Sequence, residues 1–443
     1  MKVFMSHSSQ DRAAAMRITS ALEDAGHEVL SSVNLRAGSN IARRVRERVS
    51  EADVVLALIS RDTFRSEHDR GELTALAMSR FARERQMVIP LLLDDSAVPG
   101  YLSDYLFVDL SQDFDAGLEH LIGGLSKSAK RPSRDQAASR ARKRESDETQ
   151  LAAVRQELRA GRLTLVCGAG VSVAAGIPDW NRLLVRLLER MIQRIAANHK
   201  GDLHSVTGED LQRQYGSSAL IIGKYLKNNL GGDFPSELRD ALYLNQPTSC
   251  RLIEAIGDLA RPQREGKPLD SIITFNFDSL IEEHLDAQNV RNKPIHSEAV
   301  KHRSDELPIY HVHGYLPRGG KIRSGTEIVF SEDAYHSQFI DPFSWSNLVQ
   351  LTKLTQNTCL FVGLSLTDPN LRRLLDVAQR KNPDKVLAHY IIKRTPQFTG
   401  STEAVESLGR LLEEQDANAL GLNVIWVSDF VDIPAKIRAI AGD

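Results

Sequence analysis

The sequence predicts an α/β protein made of two doubly wound parallel sheets joined by a flexible basic linker. Three observations carry that reading. Between residues 1 and 125, short β-branched runs alternate with stretches of helical periodicity, the pattern of strands separated by crossover helices. From about residue 150 a second alternation opens with the apolar run Leu163 to Val166 and the amphipathic stretch Asn181 to Ala197. Between the two, Ser126 to Arg144 holds eight basic residues against the single acid Asp135, with Pro132 and several serines and alanines, the composition of a solvated tether. The divisions are therefore 1–125, 126–149 and 150–443. A chain of 443 residues with 42% hydrophobic content has the size for two or three cores.

Taken in order, the β-branched runs of the first domain are Val3 to Ser6, Glu28 to Ser31, Val54 to Ser60, Met87 to Leu93 and Leu106 to Leu110. The helical patterns between them are Arg12 to Ala25, Ile41 to Ala52 and Gly71 to Arg83, with a last helix after the fifth strand. In such a sheet, ligands gather beyond the carboxyl ends of the strands. Three polar clusters fall there: "FMSHSSQD" (4–11), "NLRAGSN" (34–40) and "SRDTFRSEHDRGEL" (60–73).

In the second domain the first strand runs into "CGAGVSVAAGIPDW" (167–180). Gly168, Gly170 and Gly176 would let backbone N–H groups approach a phosphate at the start of a helix, or would serve tight packing of strand against helix. After the apolar strand Ile272 to Thr274 comes "TFNFDSL", where Asn276 and Asp278 are turn formers or ligands. "YHVHGYL" places His313 at a strand end, in a structural or a catalytic role. "FVGLSLTDPNLRRLL" (361–375) puts Asp368 before the helix Leu371 to Val377, as an N-cap or a ligand contact.

Composition narrows the function classes. A formal net charge of −2 gives no support to a nucleic-acid or membrane partner. Cys167, Cys250 and Cys359 are widely spaced and read as buried thiols of a reducing compartment. No CxxC pair occurs, which excludes a four-cysteine zinc site, so no metal is expected. The N-terminus lacks the apolar core of a signal peptide and no apolar run approaches a membrane span, so a soluble cytoplasmic protein is expected.

Residues 1–125 resemble a prokaryotic Toll/interleukin receptor (TIR) domain. Phe4, Ser6, His7 and Asp11 match its opening box, and Gly38 with Ile41 matches the loop after the second strand. Ser60, Ser66, Glu72 and Leu73 are in register with a third box, in which His68 stands where the family usually has tryptophan. The resemblance implies a flavodoxin-like fold, a possible catalytic role for Glu72 in NAD cleavage, and assembly through loops. A lone carboxylate suits that chemistry, because neutral nicotinamide departs without a proton and the carboxylate need only face the oxocarbenium charge.

The remainder resembles the sirtuins. Gly168, Ala169, Gly170, Ser172, Gly176, Ile177, Pro178 and Asp179 match the family fingerprint, Thr274, Asn276 and Asp278 its Thr-x-Asn-x-Asp box, and His313 with Gly314 its catalytic histidine and glycine. Gly363 and Ser365 match the loop that meets the adenosine half of NAD, and the Asp368-Pro369-Asn370 continuation is like that of sirtuin-like domains in bacterial defence proteins. The resemblance implies a Rossmann-like domain in which the bare loop lets NAD lie against the backbone. Asp278 would hold the nicotinamide carboxamide, Asn276 would orient ribose and water, and His313 would act as general base. Lacking the zinc ribbon of the deacylases, the chain is expected to cleave NAD itself, as substrate, to ADP-ribose and nicotinamide in antiphage defence. The TIR domain would build a homo-oligomer or sense a phage-derived trigger or partner protein. Two alternatives remain open: the TIR domain cleaves NAD or makes a cyclic nucleotide that the sirtuin-like domain binds, or both folds are docking surfaces of a non-catalytic adaptor.

Overall fold

The computed structural model describes residues 1–31, 51–64, 87–94, 107–127, 136–198, 206–215, 219–262, 267–322, 327–381, 389–397 and 403–442. The expected helix Gly71 to Arg83, most of Ile41 to Ala52, and the residues Arg36, Gly38, Ser66, His68 and Glu72 lie outside the described residues. The chain divides into two compact units, one built on Met1–Thr149 and taking in Thr395–Ala419, the other on Gln150–Asn382, Ala388–Arg394 and Leu420–Asp443.

In the first unit, strands β1 (Lys2–Ser6), β2 (Glu28–Ser31), β3 (Val54–Ile59), β4 (Met87–Leu92) and β5 (Val108–Asp109) form one sheet in the order β2-β1-β3-β4-β5. Every pairing is parallel, with Val3 beside Val29 on one side and Val54 on the other. All six residues of β3 are buried, as a strand covered on both faces requires, and this accounts for its unbroken apolar run. Ala15, Ile18 and Leu22 bring one face of α1 (Arg12–Asp24) into the core. Leu118, Leu121 and Leu125 of α2 (Phe114–Lys127) join that core. Of the expected fifth strand, whose first residue Leu106 lies outside the described residues, Val108 and Asp109 pair with Leu91 and Leu92 of β4, and the Leu110 N–H donates to Leu92 O at 2.8 Å.

Helix α3 spans Gln136–Arg159 and so occupies residues 136–149 of the expected flexible linker. The reason is local: "QAASRARKRESDETQ" is rich in alanine, arginine, glutamine and glutamate and holds no glycine or proline. Further along the same helix, Leu151, Val154 and Leu158 are core residues of the second unit.

The second unit is a seven-stranded parallel sheet. Its strands are β6 (Leu163–Cys167), β7 (Ser271–Thr274), β8 (Asn292–Ile295), β9 (Leu307–His311), β10 (Thr358–Val362), β11 (His389–Arg394) and β12 (Leu422–Val427), ordered β12-β11-β10-β6-β7-β9-β8. From β6 the chain moves to β7 on one side and later returns to β10 on the other. The strand order therefore reverses between β6 and β10, where an open α/β sheet leaves a crevice beyond its carboxyl ends. Between β6 and β7 lie α4 (Gly170–Val173), α5 (Trp180–Asn198), α6 (Gly208–Tyr215), α7 (Ala219–Leu230), α8 (Phe234–Tyr243) and α9 (Arg251–Ala260). After β7 follow α10 (Leu280–Ala287), then α11 (Glu332–Ile340) and α12 (Trp345–Gln356) before β10, and α13 (Pro369–Lys381) after it.

Candidate active site

The loop after β6 is locked to the loop after β10. Gly168 N donates to Val362 O at 3.0 Å and Gly170 N to Gly363 O at 3.0 Å. A Cβ on Gly168 would stand 2.5 Å from Gly363 O, one on Gly170 2.8 Å from Gly363 Cα, and one on Gly363 2.7 Å from Val171 N. Of the two readings open at Gly168 and Gly170, tight packing thus has a direct physical basis, since protein already fills the space their side chains would take. Gly176 differs: its Cβ position meets only ordinary contacts, but its φ of +106° lies where glycine is favoured. Gly363, at φ +68°, answers to both constraints.

Ser172, on the single turn of α4, is fully buried and joins the next strand's loop to this one. The Asn276 side-chain amide donates to Ser172 Oγ and to Gly168 O, each at 3.1 Å. Ser172 Oγ in turn donates to Asp278 Oδ1 at 3.2 Å, which also accepts the Leu280 N–H at 3.1 Å. One chain of hydrogen bonds therefore runs Asn276 to Ser172 to Asp278 between the ends of β6 and β7. Burial pushes the Asp278 carboxyl up to about 6, against the pull of the Leu280 and Ser172 hydrogen bonds. The Cys167 thiol, buried at the end of β6, is likewise pushed far up by burial.

His313 follows β9 and packs edge-on against Phe275, the neighbour of Asn276, with ring centroids 4.8 Å apart. Its Nε2 lies 3.5 Å from Asp368 Oδ2. That carboxylate is fixed twice more, by the Tyr335 hydroxyl at 2.8 Å on Oδ2 and by the Leu371 N–H at 2.7 Å on Oδ1. Burial lowers the His313 pKa, opposed by the Asp368 charge. His313 also stands in the wall of a cavity of about 920 Å³, together with Gly231, Phe234, Val312, Ser337 and Trp345.

The structure thus brings Gly168, Gly170, Ser172, Asn276, Asp278, His313 and Gly363 to one end of the sheet. Ile177 and Pro178 are buried beneath that loop, while Ala169 is exposed. Asp179 stands apart from the hydrogen-bond chain, its carboxylate accepting the Arg182 N–H at 2.8 Å in the first turn of α5. Ser365 is exposed, its hydroxyl 2.7 Å from that of Thr367. Sequence reasoning missed Tyr335, and it missed the buried pair Glu282 and His311 behind Asn276, whose signal was a glutamate four residues after Asp278. Among the described residues no cluster of histidine, cysteine and carboxylates fits a metal ion, and no helix is long and apolar enough to cross a membrane.

The first unit has a polar cluster of its own between β1 and β3, where that sheet's order reverses. Asp11 Oδ2 accepts the Ser8 hydroxyl at 2.7 Å and the Ser60 hydroxyl at 2.6 Å. Glu72, the carboxylate expected to act there, is outside the described residues.

Comparison with known proteins gives two family matches, the second of which extends through Thr395–Ala419. Residues 3–122 match the TIR domain family and residues 270–419 the SIR2-like domain family. Over 299 residues the chain is 23% identical to the NAD(+) hydrolase ThsA of Enterococcus faecium, covering 64% of this chain and 56% of that protein. It is 26% identical over 303 residues to the NAD(+) hydrolase ThsA of Acinetobacter baumannii, covering 64% and 54%. It is 24% identical over 246 residues to defense-associated sirtuin 2 of Bacillus subtilis, covering 55% and 22%. The alignments thus span about half the length of the two hydrolases and less of the third relative. With two parallel sheets, each reversing its strand order at a polar cluster, and two family matches in the same order, the chain carries a TIR domain followed by a SIR2-like domain.

Proposed function

We propose that the chain is an NAD+ glycohydrolase of antiphage defence, cleaving NAD+ to ADP-ribose and nicotinamide in its SIR2-like domain, with the TIR domain assembling or sensing. The observation that carries this reading is the buried imidazole of His313, 3.5 Å from the Asp368 carboxylate, at the same end of the sheet as the Ser172, Asn276 and Asp278 hydrogen-bond chain. The names of the relatives, two NAD(+) hydrolases and a defense-associated sirtuin, support it.

In this reading the C–N bond between ribose and nicotinamide breaks with its electron pair leaving on nicotinamide, which needs no proton. Water supplies oxygen to the cationic ribose carbon and gives its proton to His313, so NAD+ and water yield ADP-ribose, nicotinamide and one proton. Asp278, whose hydrogen bonds fall on Oδ1, has Oδ2 to offer the carboxamide. Asn276 orients the ribose and the water. The experiment is incubation of purified full chain with NAD+, following nicotinamide release and product mass. ADP-ribose supports the proposal, a cyclised product points to nucleotide signalling, and no turnover in any assembly state leaves the adaptor reading.

A further inference from the structure

Behind Asn276 lies a buried hydrogen-bonded pair with no part in the scheme above. His311, on β9, is completely buried, and Glu282, on α10, is 5% exposed. His311 Nε2 stands 2.6 Å from Glu282 Oε1, and its Nδ1 stands 3.1 Å from the main-chain carbonyl oxygen of Asn276. A carbonyl oxygen only accepts, so Nδ1 carries a proton. Whichever partner holds the second proton, the Glu282 carboxyl keeps the ring turned so that Nδ1–H faces Asn276. Tyr315 packs against the imidazole with centroids 4.4 Å apart and the rings tilted by 53°.

We propose that His311 is a positioning residue of the reaction, acting through the Asn276 main chain with Glu282 as its anchor. The inference rests on the reading of Asn276 as the residue that orients ribose and water. Asn276 follows a strand by two residues, so its backbone is not held by the sheet ladder. Its amide N–H is tied to Thr274 Oγ1 at 3.1 Å, and its side chain to Gly168 and Ser172. The His311 contact fixes the peptide carbonyl, leaving little freedom to rotate the carboxamide away from the water it must hold. Misplacement by a fraction of an ångström costs rate more than binding.

Two substitutions separate positioning from bulk. His311→Asn places an amide N–H near the position of Nδ1 and keeps the donor to Asn276 while losing Glu282. His311→Gln reaches Glu282 but abandons the Asn276 carbonyl. On the scale of outer partners that orient functional groups, His311→Gln should lower kcat for NAD+ cleavage by about 10- to 100-fold with KM within about threefold, and His311→Asn should recover most of that loss. The two variants falling together, or His311→Gln retaining wild-type kcat, overturns the proposal. A measurement on wild-type full chain stands if neither variant folds: histidine-selective nitrogen NMR should find His311 Nδ1 protonated, and a bare Nδ1 overturns the assignment. Absence of turnover by the wild type would sink the hydrolase reading instead, while the NMR result still decides the His311 geometry.

Discussion

Asp368 Oδ2 stands 3.5 Å from His313 Nε2 while Oδ1 of the same carboxylate caps α13 through the Leu371 N–H. One residue thereby caps the start of a helix and sets a carboxylate beside the proposed base. Asparagine caps helices as well as aspartate does, so Asp368→Asn should leave the fold intact and remove only the charge. Asp368 raises the His313 pKa against its burial, so the substitution lowers it further. The expected result is a loss of roughly 10- to 100-fold in nicotinamide release, with the acid limb of the pH–rate profile moved to lower pH. An acid limb that moves upward contradicts this geometry.

The buried Asp278 carboxyl makes an opposite prediction for stability. Its folded pKa, about 6, lies above the ordinary value of 3.8, so between those pH values the folded chain binds more protons than the unfolded chain. Stability contributed at this site is therefore present at low pH and is lost as pH rises to about 6. Asp278→Asn keeps an acceptor for Ser172 and Leu280 and carries no charge. It should raise the melting temperature at pH 8 by several degrees and lose that advantage near pH 4, while NAD+ cleavage falls. Thermal scans across pH, read beside activity, check both halves.

The two interlocked loops are testable by single methyl groups. Gly168→Ala sets a Cβ against Gly363 O and the Leu364 side chain, and Gly363→Ala adds an unfavourable φ, so each should destabilise the SIR2-like domain by about 1–3 kcal/mol or more. Gly319, with open space at its Cβ position, provides the control, and Gly319→Ala should change stability by less than about 0.5 kcal/mol. Denaturant midpoints of the three variants would measure this.

Division of labour between the domains is read from three substitutions. If the SIR2-like domain is the enzyme, His313→Ala and Asn276→Ala should each cost about two to four orders of magnitude in NAD+ cleavage, on the usual scale of acid–base and electrostatic catalysis, with fold and solution mass unchanged. Glu72→Ala should cost less than about tenfold if the TIR domain assembles rather than catalyses. If Glu72→Ala silences the protein and His313→Ala does not, the TIR domain is the enzyme.

The strand ends and their motifs were legible in the sequence because the signals are local. A glycine run after an apolar strand, Asn276 and Asp278 two apart after another, and His313 after a third each mark a chain emerging from a sheet. What was not legible depends on distance along the chain. Tyr335 meets Asp368 across 33 positions, and nothing around Tyr335 distinguishes it from any helical tyrosine. The role of Gly168 and Gly170 was ambiguous for the same reason: the atoms that exclude their side chains belong to Gly363 and Leu364, almost two hundred residues away. The linker misled differently. Charge composition describes solvation, whereas helix formation follows backbone propensity, and residues 136–149 satisfy both.

The lock between the loops of β6 and β10 also bears on motion. Backbone packs against backbone there with the Leu364 side chain alongside, and two main-chain hydrogen bonds tie the loops together. Parting the two loops would break both hydrogen bonds, so a hinge placed there would carry that cost. In the proposed reaction, opening for substrate and product would instead fall across the cavity, where Gly231 and Gly232 precede α8 and where Asp341 to Ser344 join α11 to α12. The tempo of turnover would then be set by helices that the reacting atoms never touch.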